Sequence, residues 1–203
     1  MQVSSDGLKI IQSAESFSAV PYLDTGNIWS VGWGHALTTP TGQLIDRDVF
    51  GAAKAQQLAS ESMQRLFGRQ SCTLEEANAL LTKDLAGPVA TVNKVIDANT
   101  YQCEFDAMVS FCFNVGSGNF NGSAINRLYR AGQRKIGDIS LSDLAQKAKA
   151  HVAPTTMPLA FVRWSNSGGS WTLGLFRRRV AELLVFSGRS AADALHTAWA
   201  FTG

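Results

Sequence analysis

The sequence has little from which to build metal, redox or disulfide chemistry: three cysteines and three histidines in 203 residues. Cys72, Cys103 and Cys112 show no metal-ligand spacing, and neither a metal nor a cofactor is expected. Cys103 and Cys112 stand nine residues apart on what should be one helix, too far apart for a bridge. Free, mostly buried thiols made in a reducing cytoplasm are the expectation. Long apolar runs are missing as well. None approaches the roughly eighteen residues of a membrane span, so stable membrane insertion is not expected. The opening MQVSSDGLKIIQSAES lacks a charged start followed by a long apolar core, so no secretion signal is expected. Basic runs are scarce: Arg177, Arg178 and Arg179 form the only one, without interleaved aromatic platforms. Nucleic acid is therefore excluded as a partner. No internal repeat or low-complexity tract is visible.

What is there suits a folded, soluble chain. A hydrophobic content of 45% with 17% charged residues argues against disorder. The length fits one domain or two small lobes sharing a helix. Net charge is +2 but unevenly placed. Residues 1–97 carry seven Lys/Arg and ten Asp/Glu, and residues 98–203 carry eleven and six. The basic second half either steers the protein toward an anionic wall or membrane or is simply a solvated face.

The stretch Glu15 to His35, ESFSAVPYLDTGNIWSVGWGH, organises the rest. Leu8, Ile11 and Ala14 repeat at helical spacing, with Ser5 or Asp6 as cap, so Glu15 falls near a helix end. Pro21 stops helix growth. After it, Trp29, Val31 and Trp33 alternate with Ser30, Gly32 and Gly34, the period of a strand. Asp24-Thr25-Gly26-Asn27 is turn chemistry, with Gly and Asn able to take φ > 0. One carboxylate on a helix end thus faces a hairpin carrying another. Two carboxyl groups on separate rigid elements, one protonated and one ionised, are what hydrolysis of a glycosidic bond requires.

Glu15, then Asp24, then the Ser30 hydroxyl, then Gly-x-Gly-His closely resemble the active-site segment of the phage-type lysozymes, the endolysins of glycoside hydrolase family 24. The resemblance recurs in order downstream. EEANALLTKDLAGPV (75–89) is similar to the family's inter-lobe helix, FDAMVSFCFNVGSGNF (105–120) to its central helix and turn, and GLFRRRVAELLVF (174–186) to its late basic helix. The resemblance implies hydrolysis of the β-1,4 bond between N-acetylmuramic acid and N-acetylglucosamine in peptidoglycan. It implies an inverting reaction with carboxyl groups about 6.5–9.5 Å apart. Glu15 is then the general acid, and Asp24 with Ser30 positions or activates water. The family usually has threonine where Ser30 stands, and serine lacks the methyl that restricts rotation. His35 is implied to be structural, paired with Asp84. Asn114 is read as a sugar-binding side chain or a local helix cap. Trp164 is read as a residue near the cleft floor or as core packing. At least one of the three arginines, Arg178 being the choice, is implied to face the acidic cluster that includes Glu15. A monomer that reaches the wall of the host through a holin pore completes the implied picture.

The implied fold is α+β and mostly helical, a lysozyme-like single domain of two lobes. A small hairpin lobe (about 16–72) joins through a long helix (about 73–96) to a helical lobe (about 97–203 with helix 1–15). Asp46 or Asp48 should cap a helix reaching Phe67. Thr73 with Glu76 reads as a capping box, and Pro88 predicts a kink or local break. Ser170 is the expected cap of the late helix. Two rival readings stand beside the hydrolase. A wall-binding module would have no use for Glu15, Asp24 and Ser30 together, and a lytic transglycosylase would need the acid without the second carboxylate.

Overall fold

The computed structural model describes residues 1–203. From the N-terminus it runs through α1 (Ser5–Glu15), β1 (Ser18–Leu23), β2 (Trp29–Gly32), β3 (His35–Ala36), α2 (Arg47–Phe50), α3 (Ala52–Phe67) and α4 (Leu74–Asp84). Next come α5 (Ala86–Asn93), α6 (Gln102–Val115), α7 (Ser117–Gly122), α8 (Ala124–Arg130), α9 (Leu141–Lys149) and α10 (Met157–Val162). The last elements are β4 (Asn166–Ser167), β5 (Ser170–Trp171), α11 (Leu173–Phe186) and α12 (Ala191–Ala200). The class is the expected one, α+β and mostly helical. Two units pack internally: Glu15–Ala86, and Met1–Ala14 with Gly87–Gly203.

In the first unit β1, β2 and β3 form an antiparallel sheet in that order. Tyr22 stands opposite Ser30, and Ser30 opposite Ala36. Val31, Leu37, Ile45, Ala55, Ala59, Met63, Ala77 and Leu80 make its core, with Trp29 and Trp33 packed at the edge. Asp46 caps α2, its Oδ1 accepting from the Asp48 and Val49 N–H groups. The single helix expected up to Phe67 is divided, because Gly51 sits at φ +77 and cannot continue it. The Thr73 capping box forms, with Thr73 Oγ1 accepting from Glu76 N–H and Glu76 Oε2 from Thr73 N–H. The break associated with Pro88 falls at Leu85, between α4 and α5. A proline at position 88 cannot donate to the Asp84 carbonyl. Restarting at Ala86 places Pro88 in a first turn, where no N–H partner is needed.

The helical unit is built around α6, whose residues Glu104 to Cys112 are all buried. A helix apolar nearly all round belongs inside a core. Phe111 meets Phe161 and Trp164 edge-on, at 6.0 and 5.5 Å between ring centres. The start of α1 is fixed by tertiary contact. Ser4, not Ser5 or Asp6, caps it: its Oγ accepts from Asp6 and Gly7 N–H and in turn donates to Asp106. Ser170 is not the cap of α11. Thr172 takes that place, its Oγ1 accepting from Leu175 N–H. Ser170 instead pairs with Ser167 across Gly168 and Gly169, at φ +57 and +81. Two successive positive φ values make a two-residue hairpin, which claims Ser170 and Trp171 before the helix begins.

Candidate active site

Glu15 is the last residue of α1 and is half-buried. The next residue, Ser16, takes φ +46, the left-handed stop that ends a helix. Serine in this conformation is uncommon, and the strain falls directly beside the candidate acid. Asp24 is held by its own turn. Its Oδ1 accepts from Gly26 N–H at 2.8 Å and from Ile28 N–H at 2.9 Å. Of the two turn residues able to take φ > 0, Asn27 does so at +62, and its side chain donates to Asp48. One Asp24 oxygen is thus committed to the backbone, which fixes the direction in which the other points.

The Gly-x-Gly-His segment has a steric basis. Gly32 lies at φ +66, and a Cβ there would stand 3.0 Å from the Ala77 methyl on α4. Gly34 lies at φ +87, and a Cβ there would stand 3.5 Å from Glu15 Oε2 and 4.0 Å from the Tyr22 hydroxyl. Neither position takes a side chain without strain: both lie at positive φ, and at Gly32 a methyl would also press on α4, whereas at Gly34 it would meet the site only at ordinary contact distance. His35 Nδ1 lies 2.9 Å from Asp84 Oδ2, joining β3 to the end of α4. Trp33 Nε1 donates to Asn78 Oδ1 at 2.8 Å, a second tie between the hairpin and α4.

Ser30 is placed differently from a hydroxyl facing solvent. It is 1% exposed, and its Oγ approaches the Ile28 carbonyl at 3.5 Å. The alternation of the strand would give it an open face, but both faces of β2 are covered, and Ser30, Val31 and Gly32 are all buried. Tyr22, which the sequence does not single out, occupies the space near the carboxylates. Burial raises its pKa first, and the charges of Glu15 and Asp24 raise it further. A readable signal did exist: Tyr22 precedes Asp24 by two residues, the spacing that puts side chains on one face of a strand.

Asn114, Trp164 and Arg178 belong to the helical unit. Asn114 is exposed on the last turn of α6 and is not its cap, since Gly116 closes the helix at φ +85. Trp164 packs edge-on against Phe111 and lines a cavity of about 360 Å³ with Ser123, Pro154 and Arg163. The three arginines diverge. Arg177 donates to the Phe201 carbonyl, while Arg178 and Arg179 reach Glu182 Oε1 at 3.5 and 2.7 Å. Ser110 also donates to that oxygen, at 2.8 Å. Glu182 and Arg179 are fully buried. Burial pushes the Glu182 carboxyl above its ordinary value, against the pull of Arg179, Arg178 and Ser110. A larger cavity in this unit, about 650 Å³ beside Tyr101, Arg134 and Arg189, contains none of the expected site residues.

Known proteins resemble this chain in sequence and in fold. The family model of phage lysozyme matches residues 12–139. An endolysin of Bacillus phage PZA is 27% identical over 189 residues, 92% of this chain and 55% of the relative. The chain thus spans about half the length of that relative and of its counterpart from Bacillus phage B103, at 54%. Among solved structures, an endolysin from Escherichia coli O157:H7 phage FAHEc1 superposes with a TM-score of 0.61 at 25% identity. That match covers 92% of this chain and 93% of the other. The muramidase domain of SpmX from Asticaccaulis excentricus gives 0.59 at 25% identity, covering 91% and 97%. The matched model spans more than half of the chain, including Asp24, the Gly-x-Gly-His segment and α4; the chain belongs to the phage lysozyme family.

Proposed function

We propose that the protein is a muramidase that hydrolyses the β-1,4 bond between N-acetylmuramic acid and N-acetylglucosamine in peptidoglycan. One observation carries this reading: the Glu15 carboxyl at a helix end and the Tyr22 hydroxyl both lie within 4.0 Å of one open point at Gly34, while the hairpin turn two residues beyond Tyr22 holds the second carboxylate, Asp24. In this reading Glu15 gives its proton to the leaving oxygen. Asp24 stays ionised, with one oxygen fixed by its turn and the other receiving the attacking water. Water attacking from the far face inverts the anomeric centre, which calls for the wide carboxyl spacing. Ser30 supports that water only if its hydroxyl turns away from the Ile28 carbonyl, a contact at 3.5 Å that resists little. Asn114 and Trp164 are assigned to sugar binding, and Arg178 to the surroundings of the acid.

Glu15→Gln keeps the shape and removes the proton. It should fold normally and lose several orders of magnitude in turnover. Wall clearing at the parent rate by a folded Glu15→Gln protein would overturn the mechanism. Mass spectrometry of digested peptidoglycan separates the rivals: a reducing muramic end means hydrolase, an anhydro end means transglycosylase, and no product means a binding module. No helix is long and apolar enough to cross a membrane. The proposal has a monomer made in the host cytoplasm and leaves passage to the wall to a separate holin. Cells expressing the protein alone should then stay intact until their membrane is permeabilised, and spontaneous lysis would contradict that route.

A further inference from the structure

The reaction proposed above asks for a hydroxyl beside two carboxylates, and Ser30 is a poor fit as the structure stands. It is buried and directed at a backbone carbonyl. A second hydroxyl is better placed. Tyr22 is the cross-strand partner of Ser30, so the two side chains leave the same face of the sheet. The Tyr22 hydroxyl and Glu15 Oε2 both lie within 4.0 Å of one point, the place that a Cβ on Gly34 would fill. Because residue 34 is a glycine, that point is open. No protein group hydrogen-bonds the Tyr22 hydroxyl, so its donor is available to a ligand.

We propose that Tyr22 is a substrate-contacting residue: its phenolic O–H donates a hydrogen bond to the saccharide, at an oxygen of the sugar whose bond Glu15 protonates. The inference rests on the hydrolase reading and adds a residue to it. Donation requires a neutral phenol. Burial and the charges of Glu15 and Asp24 all raise its pKa, so the proton stays on throughout the range in which a carboxylic acid can act. A neutral donor also suits this position electrostatically. It approaches two carboxylates without adding a further charge beside them. A hydrogen bond donated to the oxygen of the breaking bond tightens as electron density builds on that oxygen, and so favours the transition state over the bound substrate.

The test uses the full chain and solubilised, uncrosslinked peptidoglycan strands as substrate. Tyr22→Phe keeps the ring and removes only the hydroxyl. We expect an unchanged melting temperature, kcat lower by about tenfold or more, and KM within about twofold. Parent values of both constants overturn the proposal. So does a change in KM alone, which would place the contact away from the bond being broken. Glu15→Gln run in parallel separates two failures. An active Glu15→Gln protein sinks the hydrolase reading, whereas an inactive one beside a fully active Tyr22→Phe protein sinks only the role of Tyr22. Should Tyr22→Phe not fold, a fluorinated tyrosine placed at position 22 keeps the hydroxyl while making it more acidic. Glu15 and Asp24 are the charges acting on it. Activity should then fall at a lower alkaline pH than in the parent, as the phenol ionises and can no longer donate. An alkaline limb that does not move overturns the proposal.

Discussion

The two units handle charge in opposite ways. In residues 15–86 the acids that matter, Glu15, Asp24 and Asp84, remain half-exposed, and Asp24 and Asp84 are each tied by a nearby partner. In the helical unit Glu182 and Arg179 are fully buried and Arg178 is 7% exposed, the three meeting inside the core. Burial costs a charge several kcal/mol, which a partner repays only with good geometry and further hydrogen bonds. Ser110 supplies one of these. A carboxyl that must exchange protons with a substrate cannot be sealed in this way. On the proposed mechanism the comparison separates Glu15 and Asp24, left accessible, from charges buried together in a core.

The strongest way to break the comparison is to remove one buried cation. Arg179→Met fills much of the same volume but withdraws the nearest partner of Glu182, at 2.7 Å, and the stacking of the guanidinium over Phe111. A loss of about 3–5 kcal/mol is expected. At this chain length that lowers Tm by roughly 10 °C. The pH dependence has a definite sign. The Glu182 carboxyl is already raised in the folded protein, so what it contributes is fully present below its unfolded value of 4.5. That contribution declines as pH rises through the raised folded value. Losing Arg179 raises the folded value further. Thermal unfolding should show a smaller deficit at pH about 4 than at pH about 8. An equal deficit at both would mean that Glu182 does not titrate with folding.

The hairpin unit should be broken by shape rather than charge. Gly32→Ala puts a methyl 3.0 Å from Ala77 Cβ and forces an L-residue to φ +66. About 1–3 kcal/mol of destabilisation is expected, measured by denaturant titration. No loss would mean that strand and helix separate easily, and that the closeness of β2 to α4 does not hold this unit together.

Which features were legible follows from the same contrast. Local chemistry could be read: the Thr73 box, the Asp46 cap and the turn around Asp24 all act within a few residues. Features decided at long range could not. Ser30 looks like an open strand position, and only the covering of both sheet faces buries it. Ser4 outcompetes Ser5 and Asp6 because Asp106, distant in sequence, fixes it. Ser170 looks like a cap until the glycine pair before it is seen to close a hairpin. At least one arginine of RRRVAE is expected inward from the sequence, but packing around α11 decides that Glu182 is itself fully buried and is an acid which Arg178 and Arg179 reach. Asn114 looks like the stop of its helix, although Gly116 is the residue free to take positive φ.

A smaller effect is expected at the pair joining β3 to α4. His35 and Asp84 side chains are 23% and 30% exposed, so their bond should contribute only about 1 kcal/mol. His35→Asn and Asp84→Asn, singly and together, form a double-mutant cycle. Coupling of that size with Glu15-dependent activity retained supports a structural pair. Absence of coupling would return His35 to consideration as a cleft residue.

The finest test asks whether the two units open separately, and the cysteines report on it without mutation. Cys72 lies in the hairpin unit at 5% exposure, and Cys112 lies in the helical core at 0%. Cys103 is half-exposed and borders the 650 Å³ cavity. Burial raises all three thiols, and the charge of Glu76 adds to the rise at Cys72 while Ser117 opposes it at Cys112. Few thiolates are therefore present, and the buried pair should react only through opening. With iodoacetamide at mildly alkaline pH, Cys103 should be alkylated first. Cys72 should follow, because a unit of about seventy residues buries a smaller fraction of its surface than one nearly twice that size. Cys112 should react last, because both thiols are raised and opening of the unit around each sets the order. Mass spectrometry of the native protein over time reads each site. Equal rates at Cys72 and Cys112 would mean that the units open as one, and that charge handling differs between them without any difference in stability.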